Sequence, residues 1–174
     1  MWQNPSVKKV VFGDNLTSVP CNFRNCSHIE EIILPKKIQS LGERSNFEGL
    51  TNLISIEFPE GLSDFGWYMF EGAGLKNIKF PSSATYLDNF TRTLPYLEYV
   101  IVPVSLRYVL GQTFDCTVGY KTFYLGTQND WDYISISEEA SSFKANVYFY
   151  SETQPTEEGK WWHYDSDEEP VIWE

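Results

Sequence analysis

The fold is decided by the heptapeptide at residues 53–59, Leu-Ile-Ser-Ile-Glu-Phe-Pro, because closely similar heptapeptides recur along the chain. The copies begin at residues 7, 29, 53, 75 and 97, so the successive spacings are 22, 24, 22 and 22 residues. Repetition with a period of roughly 20–50 residues is typical of a solenoid, in which every repeat forms one structural unit. We therefore predict five stacked repeats.

Each heptapeptide has the pattern of a short strand. Its fourth and sixth residues are apolar, as Ile56 and Phe58 are, and the residue between them is polar in two of the five copies, as Glu57 is. Such alternation indicates a strand with one buried face. Pro59 and its equivalents cannot donate a backbone hydrogen bond to a neighbouring strand, so the strand should end there.

The second half of each repeat is also periodic. An apolar pair three residues apart follows the Pro or Gly, as in Leu62 and Phe65, and predicts a second short extended segment on the opposite wall. A phenylalanine comes next in every repeat, within a predicted turn or brief helical coil. These phenylalanines are Phe23, Phe47, Phe70, Phe90 and Phe114. We predict that they form a continuous ladder in the core, because a single repeat cannot bury its own apolar side.

The repeats resemble a known family. Residues 70–81, Phe-Glu-Gly-Ala-Gly-Leu-Lys-Asn-Ile-Lys-Phe-Pro, are similar to the BspA-type leucine-rich repeat, and Phe23-Arg-Asn-Cys26 keeps the cysteine of that family. The resemblance covers roughly residues 7–116 and implies an α/β leucine-rich-repeat solenoid, built mainly from short parallel strands with turns or brief helical coils. It also implies a secreted or cell-surface bacterial protein with a role in adhesion, and it supplies no functional residues.

Residues 1–116 are predicted to hold the five repeats, and residues 117–174 a degenerate last repeat with an acidic, aromatic, β-rich cap in the same structural domain. Strands are predicted at 123–126, 130–136 and 146–150. Four of the six tryptophans lie in this region, at positions 131, 161, 162 and 173. They favour burial over the last repeat, with a carbohydrate-binding or peptide-binding cluster as the alternative. The segment is similar to the C-terminal segment of many repeat proteins of gut Firmicutes.

Charge excludes some partners. Residues 129–174 hold twelve acidic and two basic residues, and the formal net charge of the chain is -11. A nucleic acid or an anionic membrane surface would need a basic stripe, which this sequence lacks. No apolar run is long enough to cross a bilayer, and residues 1–5 do not have the pattern of a signal peptide.

Few residues carry the pattern of catalytic or metal-binding chemistry. His163 and the acidic segment 165–169 are predicted to be structural, since neither has the spacing of a metal site. The three cysteines favour reduced thiols in the core, although Cys21 and Cys26 could pair. We therefore predict no catalytic residue, no metal and no cofactor.

The prediction for function is a non-enzymatic binding or adhesion module that recognises a protein or glycan. The alternatives are a structural spacer or stalk and an intracellular protein-interaction scaffold. The candidate ligand face consists of the outward strand positions, some of them apolar where solvent would favour polar residues. These positions are Lys9, Val11, Glu31, Ile33, Ser55, Glu57, Asn77, Lys79, Tyr99 and Ile101.

Overall fold

The computed structural model describes residues 4–174, and residues 1–3 of the predicted repeat region lie outside the described residues. Short strands dominate it: β1 (Lys9–Val11), β2 (Glu31–Ile33), β3 (Asn77–Lys79), β4 (Tyr86–Asp88), β5 (Tyr99–Val102), β6 (Tyr108–Leu110), β7 (Lys121–Tyr124), β8 (Ser135–Ile136), β9 (Val147–Tyr150), β10 (Trp161–Tyr164) and β11 (Pro170–Ile172). Helix is limited to α1 (Gln128–Trp131) and 3-10 turns at Glu138–Lys144. The molecule is a β-solenoid.

The heptapeptide strands stack in parallel, as predicted. Val10 lies opposite Ile32 in the β1–β2 pair, and Ile78 lies opposite Val100 in the β3–β5 pair. The same ladder continues through β7 and β9 and then to β10, which pairs with β11 in antiparallel orientation. Parallel pairing in register keeps equivalent side chains of successive repeats on one side of the sheet.

The third repeat departs from the prediction, because residues 53–59 contain no strand. Ile56 still lies in the core and is 9% exposed. The Lys76 amide donates to the Ile54 carbonyl, so a backbone hydrogen bond joins the start of this heptapeptide to the fourth repeat. The strand face is therefore divided into a two-stranded sheet, β1–β2, and a six-stranded sheet that begins at β3.

The opposite wall forms as predicted. Strands β4, β6 and β8 pair in parallel, and single bridges join Ser18 to Ser40 and Ser40 to Asp64 in the earlier repeats. The apolar pairs of this wall, such as Leu62 and Phe65, point into the core and are buried. The prediction of a strand at 130–136 is wrong over its first half, because a Thr127 capping box starts α1 there.

The phenylalanine ladder is confirmed. All five predicted rings are fully buried, and neighbouring ring centres lie 5.2–6.0 Å apart. Phe143 adds a further ring, stacked at 5.9 Å on Phe114, and Trp131 stacks on Phe143 at 5.8 Å. The turns around the ladder use positive φ, and at Gly49 (φ +72°) a Cβ would also meet the Asn25 side chain at 2.5 Å.

Candidate binding surfaces

The N-terminal half of the predicted ligand face is open to solvent. Val11 and Ile33 lie opposite each other in the β1–β2 ladder and are 62% and 41% exposed. Beside them, Lys9 Nζ donates to Glu31 Oε1 at 2.8 Å. An exposed ion pair of this kind contributes little to stability. Packing within the chain therefore does not explain why these two aliphatic side chains lie on the surface.

A cleft divides the middle of the predicted ligand face. Ser55, Glu57 and Lys79 are exposed and Asn77 is half-buried. A cleft of about 420 Å³ separates the third repeat from β3, where the strand ladder is interrupted. On its far side, Lys79 Nζ lies 5.1 Å from the centre of the Tyr164 ring. Lys79 thus marks the boundary between the open half of the face and the half that the C-terminal segment covers.

The assignment of Ile101 to the ligand face is wrong, because its side chain is only 4% exposed. Tyr99 is half-buried, and Phe123, which follows Ile101 in the ladder, is 2% exposed. Ile101 and Phe123 form a second hydrophobic cluster with Trp162, apart from the main core. The outward side of β5 and β7 is therefore buried at Ile101 and Phe123.

The residues that cover it belong to the C-terminal hairpin, which we define as residues 161–172. The Trp162 ring is fully buried 5.1 Å from that of Phe123, and its Nε1 donates to the Tyr124 carbonyl at 3.0 Å. The Tyr99 hydroxyl donates to Glu169 Oε2 at 3.0 Å. Burial, followed by this carboxylate, raises the pKa of Tyr99 to about 12. The hairpin is held by both apolar packing and a polar contact.

A second surface, which the sequence analysis missed, lies along the turns that follow the ladder phenylalanines. Three of the four arginines of the chain line one cleft of about 580 Å³ there. The cleft is lined by Asn22, Arg24, Arg44, Ser45, Glu48, Tyr68, Glu71 and Arg92. In a chain with a net charge of -11, this is an unusual concentration of guanidinium groups.

The two carboxylates of this cleft are already engaged. Arg24 Nη2 donates to Glu48 Oε1 at 2.7 Å, and Glu71 Oε2 accepts from the backbone amides of Arg92 and Thr93. By contrast, the guanidinium groups of Arg44 and Arg92 form no ion pair with a carboxylate among residues 4–174. Arg92 Nη2 donates to Cys116 Sγ at 3.8 Å, but a thiol is a weak acceptor and the other N–H groups of Arg92 are left for a ligand. Both cationic side chains therefore keep donors for a ligand.

The cleft continues into two smaller hollows. Arg44 belongs to the insert at residues 42–45 and forms a parallel bridge with Trp67, which is 50% exposed. Both residues line the first hollow, of about 370 Å³. The second hollow, of about 160 Å³, extends from Trp67 to Tyr86 and Asp88. Because neighbouring hollows share lining residues, we describe the three together as the insert groove.

The far end of the insert groove is aromatic. Tyr86 is 43% exposed and pairs in register with Tyr108, which is 51% exposed, with the ring centres 6.4 Å apart. Burial, and then the Asp88 carboxylate, raise the pKa of Tyr86. Together with Trp67, these rings give a group of three exposed aromatic side chains on the opposite wall.

Two signals in the sequence point to this groove. The second repeat is two residues longer than its neighbours, and the segment at residues 42–45 contains the extra length. Charged residues also follow the ladder phenylalanines, as Arg24 follows Phe23 and Glu71 follows Phe70. Insertions in solenoids form loops on one face, often the binding face. The strand positions alone do not predict this groove.

His163 and the acidic segment 165–169 contact residues of the C-terminal segment. The His163 ring stacks on Trp173 with centres 3.8 Å apart. Asp165 Oδ1 accepts from the amides of Asp167 and Glu169, and so closes the turn of the C-terminal hairpin. The described part of the chain brings together no group of three or more His, Cys, Asp or Glu side chains that could hold a metal ion.

The cysteines differ in environment. All three are free thiols, so Cys21 and Cys26 are not bridged. Cys26 is buried, Cys21 is half-buried, and burial raises the pKa of both. Cys116 is exposed, and the prediction that it belongs to the core is wrong. Cys116 lies two residues after Phe114 and is exposed together with Asp115, and the next residue that points into the core is Thr117.

Comparison with protein-family models gives a match to the BspA type leucine rich repeat region. The match extends over residues 18–140 in six copies, one more than the number of heptapeptides. No curated protein sequence matches the chain. Within residues 4–174, no helix has the length and the hydrophobicity to cross a membrane.

Comparison with solved structures gives two matches. A leucine rich cell surface protein from Faecalibacterium prausnitzii A2-165 superposes with a TM-score of 0.66 and 22% sequence identity. The superposition covers 74% of this chain and 35% of that one, so the present chain spans about a third of that protein. A leucine-rich repeat protein from Bacteroides ovatus ATCC 8483 gives a TM-score of 0.32 with 16% identity, over 82% of this chain and 55% of that one.

Proposed function

Because the chain belongs to the BspA-type leucine-rich repeat family, we propose that it is a non-enzymatic module that binds a partner protein at the surface of a bacterial cell or after secretion. The location rests on the family and on the description of the Faecalibacterium protein as a cell surface protein. A solenoid presents an extended face that suits recognition of another macromolecule.

The observation that carries this proposal is the exposed aliphatic pair Val11 and Ile33 on the strand face. Buried aliphatic side chains each contribute roughly 1.5–3 kcal/mol, and exposed ones gain this only when a partner covers them. Ion pairs flank the aliphatic pair, as in the Lys9–Glu31 contact. An apolar centre with a polar rim is the usual arrangement of a protein–protein interface.

The chain itself provides an example of a polypeptide on this face. Ile101 and Phe123 occupy the row of Val11 and Ile33 in later repeats, and an aromatic hairpin covers them. A partner segment that presents aromatic side chains would bury the N-terminal pair in the same way. The binding surface we propose is therefore Lys9, Val11, Glu31 and Ile33, with Ser55, Glu57, Asn77 and Lys79 at its edge.

The test is a binding array of host extracellular-matrix proteins and bacterial surface proteins, probed with the purified chain. The double variant Val11→Ser/Ile33→Ser should bind the identified protein at least about tenfold more weakly, since two aliphatic contacts are lost. Val118→Ser is the matched control, because Val118 is 85% exposed away from this face. Unchanged affinity of the double variant would refute the surface, and an array without any protein ligand would refute the function.

A further inference from the structure

Among residues 4–174, the insert groove combines two guanidinium groups without a carboxylate partner at one end with exposed aromatic rings at the other. We propose that it binds an acidic oligosaccharide, with a carboxylate-bearing sugar at the arginine end and neutral sugars along the aromatic end. This site is separate from the strand face of the proposed function and does not depend on it.

The arginine end suits a carboxylate. A guanidinium group presents planar pairs of N–H donors that match the two oxygens of a carboxylate. Arg44 and Arg92 have no carboxylate partner in the described part of the chain, whereas Arg24 is paired with Glu48. The Arg44 guanidinium carbon lies 5.1 Å from the centre of the Tyr68 ring, which restrains the side chain.

Glu48 and Glu71 hold the framework of this end. Glu48 fixes Arg24, and Glu71 accepts two backbone amides of the fourth repeat. Tyr68 is held by its hydroxyl, which lies 3.1 Å from both Asn89 Oδ1 and Gln112 Oε1. The groups that surround Arg44 and Arg92 are thus positioned before any ligand binds, and such preorganisation favours affinity.

The aromatic end favours a sugar over an acidic peptide. Trp67 and Tyr86 expose rings on which the apolar face of a sugar can stack. Asp64 and Asp88 lie beside these rings, and their oxygens can accept sugar hydroxyls. The same carboxylates would repel the successive acidic side chains of a peptide. A ligand with one acidic group followed by neutral, hydroxyl-rich units matches both ends.

The probe for this test is 3′-sialyllactose, which carries one carboxylate on its terminal sugar. Its methyl ester has the same shape without the charge, and lactose lacks the acidic sugar altogether. We expect titration calorimetry to show binding of 3′-sialyllactose that weakens as salt rises, and at least about tenfold weaker binding of the ester and of lactose. Equal affinity for the three sugars would overturn the proposal.

Variants locate the site. Arg44→Gln and Arg92→Gln should each weaken binding of 3′-sialyllactose roughly tenfold, and Trp67→Ala should weaken all sugars that bind. Arg107→Gln is the matched control, because Arg107 is the fourth arginine, lies outside the groove and donates to the Val104 and Leu106 carbonyls. Thermal unfolding of each variant checks that the fold is retained, which the exposure of Arg44 leads us to expect.

Three outcomes besides equal affinity would refute the site. One is unchanged binding by both Arg44→Gln and Arg92→Gln, and another is tighter binding of tetraglutamate than of 3′-sialyllactose. Absence of sugar binding up to roughly 10 mM, a very weak Kd, would also refute it. The Val11→Ser/Ile33→Ser variant should bind the sugar normally, so failure here and failure of the strand-face proposal are distinguishable.

Discussion

The two ends of the strand face have the same sequence pattern, but the outward residues of one end are exposed to solvent and those of the other end are buried. Val11 and Ile33 are outward residues that remain exposed, while Ile101 and Phe123, in the equivalent row, are buried. Local alternation determines which side of the sheet a residue occupies, and here it does so at both ends. Whether that side is exposed to solvent depends on the C-terminal hairpin, which begins 60 residues after Ile101 in the chain.

The comparison shows how a solenoid can use one face in two ways. The hairpin closes the C-terminal half with rings such as Trp162 and leaves the N-terminal half as a free surface. The cap is therefore more than a cover for the last layer of the core. It also fixes the length of strand face on which a partner could bind.

The largest expected effect comes from removing Trp162. Trp162→Ala should lower the free energy of unfolding by about 3–5 kcal/mol, because it leaves a cavity among Phe123 and its neighbours and deprives the Tyr124 carbonyl of its donor. Trp67→Ala is the control and should change it by less than about 0.5 kcal/mol, since Trp67 is half exposed. Urea unfolding measures both, and equal losses would contradict the difference in burial.

A matched pair of isoleucines sharpens the comparison. Ile101→Ala should cost about 2–4 kcal/mol in urea unfolding, as a buried isoleucine does. Ile33→Ala, in the same row of the face, should cost less than about 1 kcal/mol because its side chain is 41% exposed. Similar costs for the two variants would mean that the hairpin does not cover the C-terminal half in solution.

The Tyr99–Glu169 contact gives the closed half a dependence on pH. The pKa of Tyr99 is raised to about 12 in the folded chain, against about 10 for an unfolded tyrosine. The folded state therefore holds a proton that the unfolded state loses, and stability falls as pH rises from about 10 to about 12.

The size of this pH effect should be about 1 kcal/mol, since the contact lies at the surface and is screened. Urea unfolding at pH 9 and pH 11 measures it, and Tyr99→Phe should lose less stability over the same interval than the parent chain. An identical pH dependence of Tyr99→Phe would show that the hydroxyl is not held by Glu169.

Much of the fold follows from the heptapeptides. Their period, the alternation around Ile32 or Ile78 and the phenylalanine after each apolar pair determine the stacked strands and the ring ladder, because each is a local rule repeated in register. The third repeat breaks the rule although Ile56 obeys it. It adjoins the two-residue-longer second repeat, and period alone does not predict how a change in repeat length affects the neighbouring ladder.

The candidate sites were less accessible from sequence. The burial of Ile101 depends on contacts with Trp162, 61 positions away, which no local pattern encodes. The insert groove brings Arg24, Arg44 and Arg92 together from the first, second and fourth repeats. These arginines are far apart in the sequence and become neighbours only when the repeats stack in register. The sequence alone does not give that register, so it does not predict the groove.

The smallest expected effect is at the boundary between the two halves, where Lys79 lies over the Tyr164 ring. Lys79→Ala should weaken attachment of the hairpin by about 0.5 kcal/mol, the usual value of an exposed cation–π contact. Amide hydrogen exchange within residues 161–172 should then be about twofold faster. Lys9→Ala removes a lysine from the open half, whose Glu31 partner is distant from the hairpin in the ladder order, and should leave that exchange unchanged. If both variants accelerated it equally, the hairpin would respond to overall charge, and Lys79 would not be the residue at which the closed half begins.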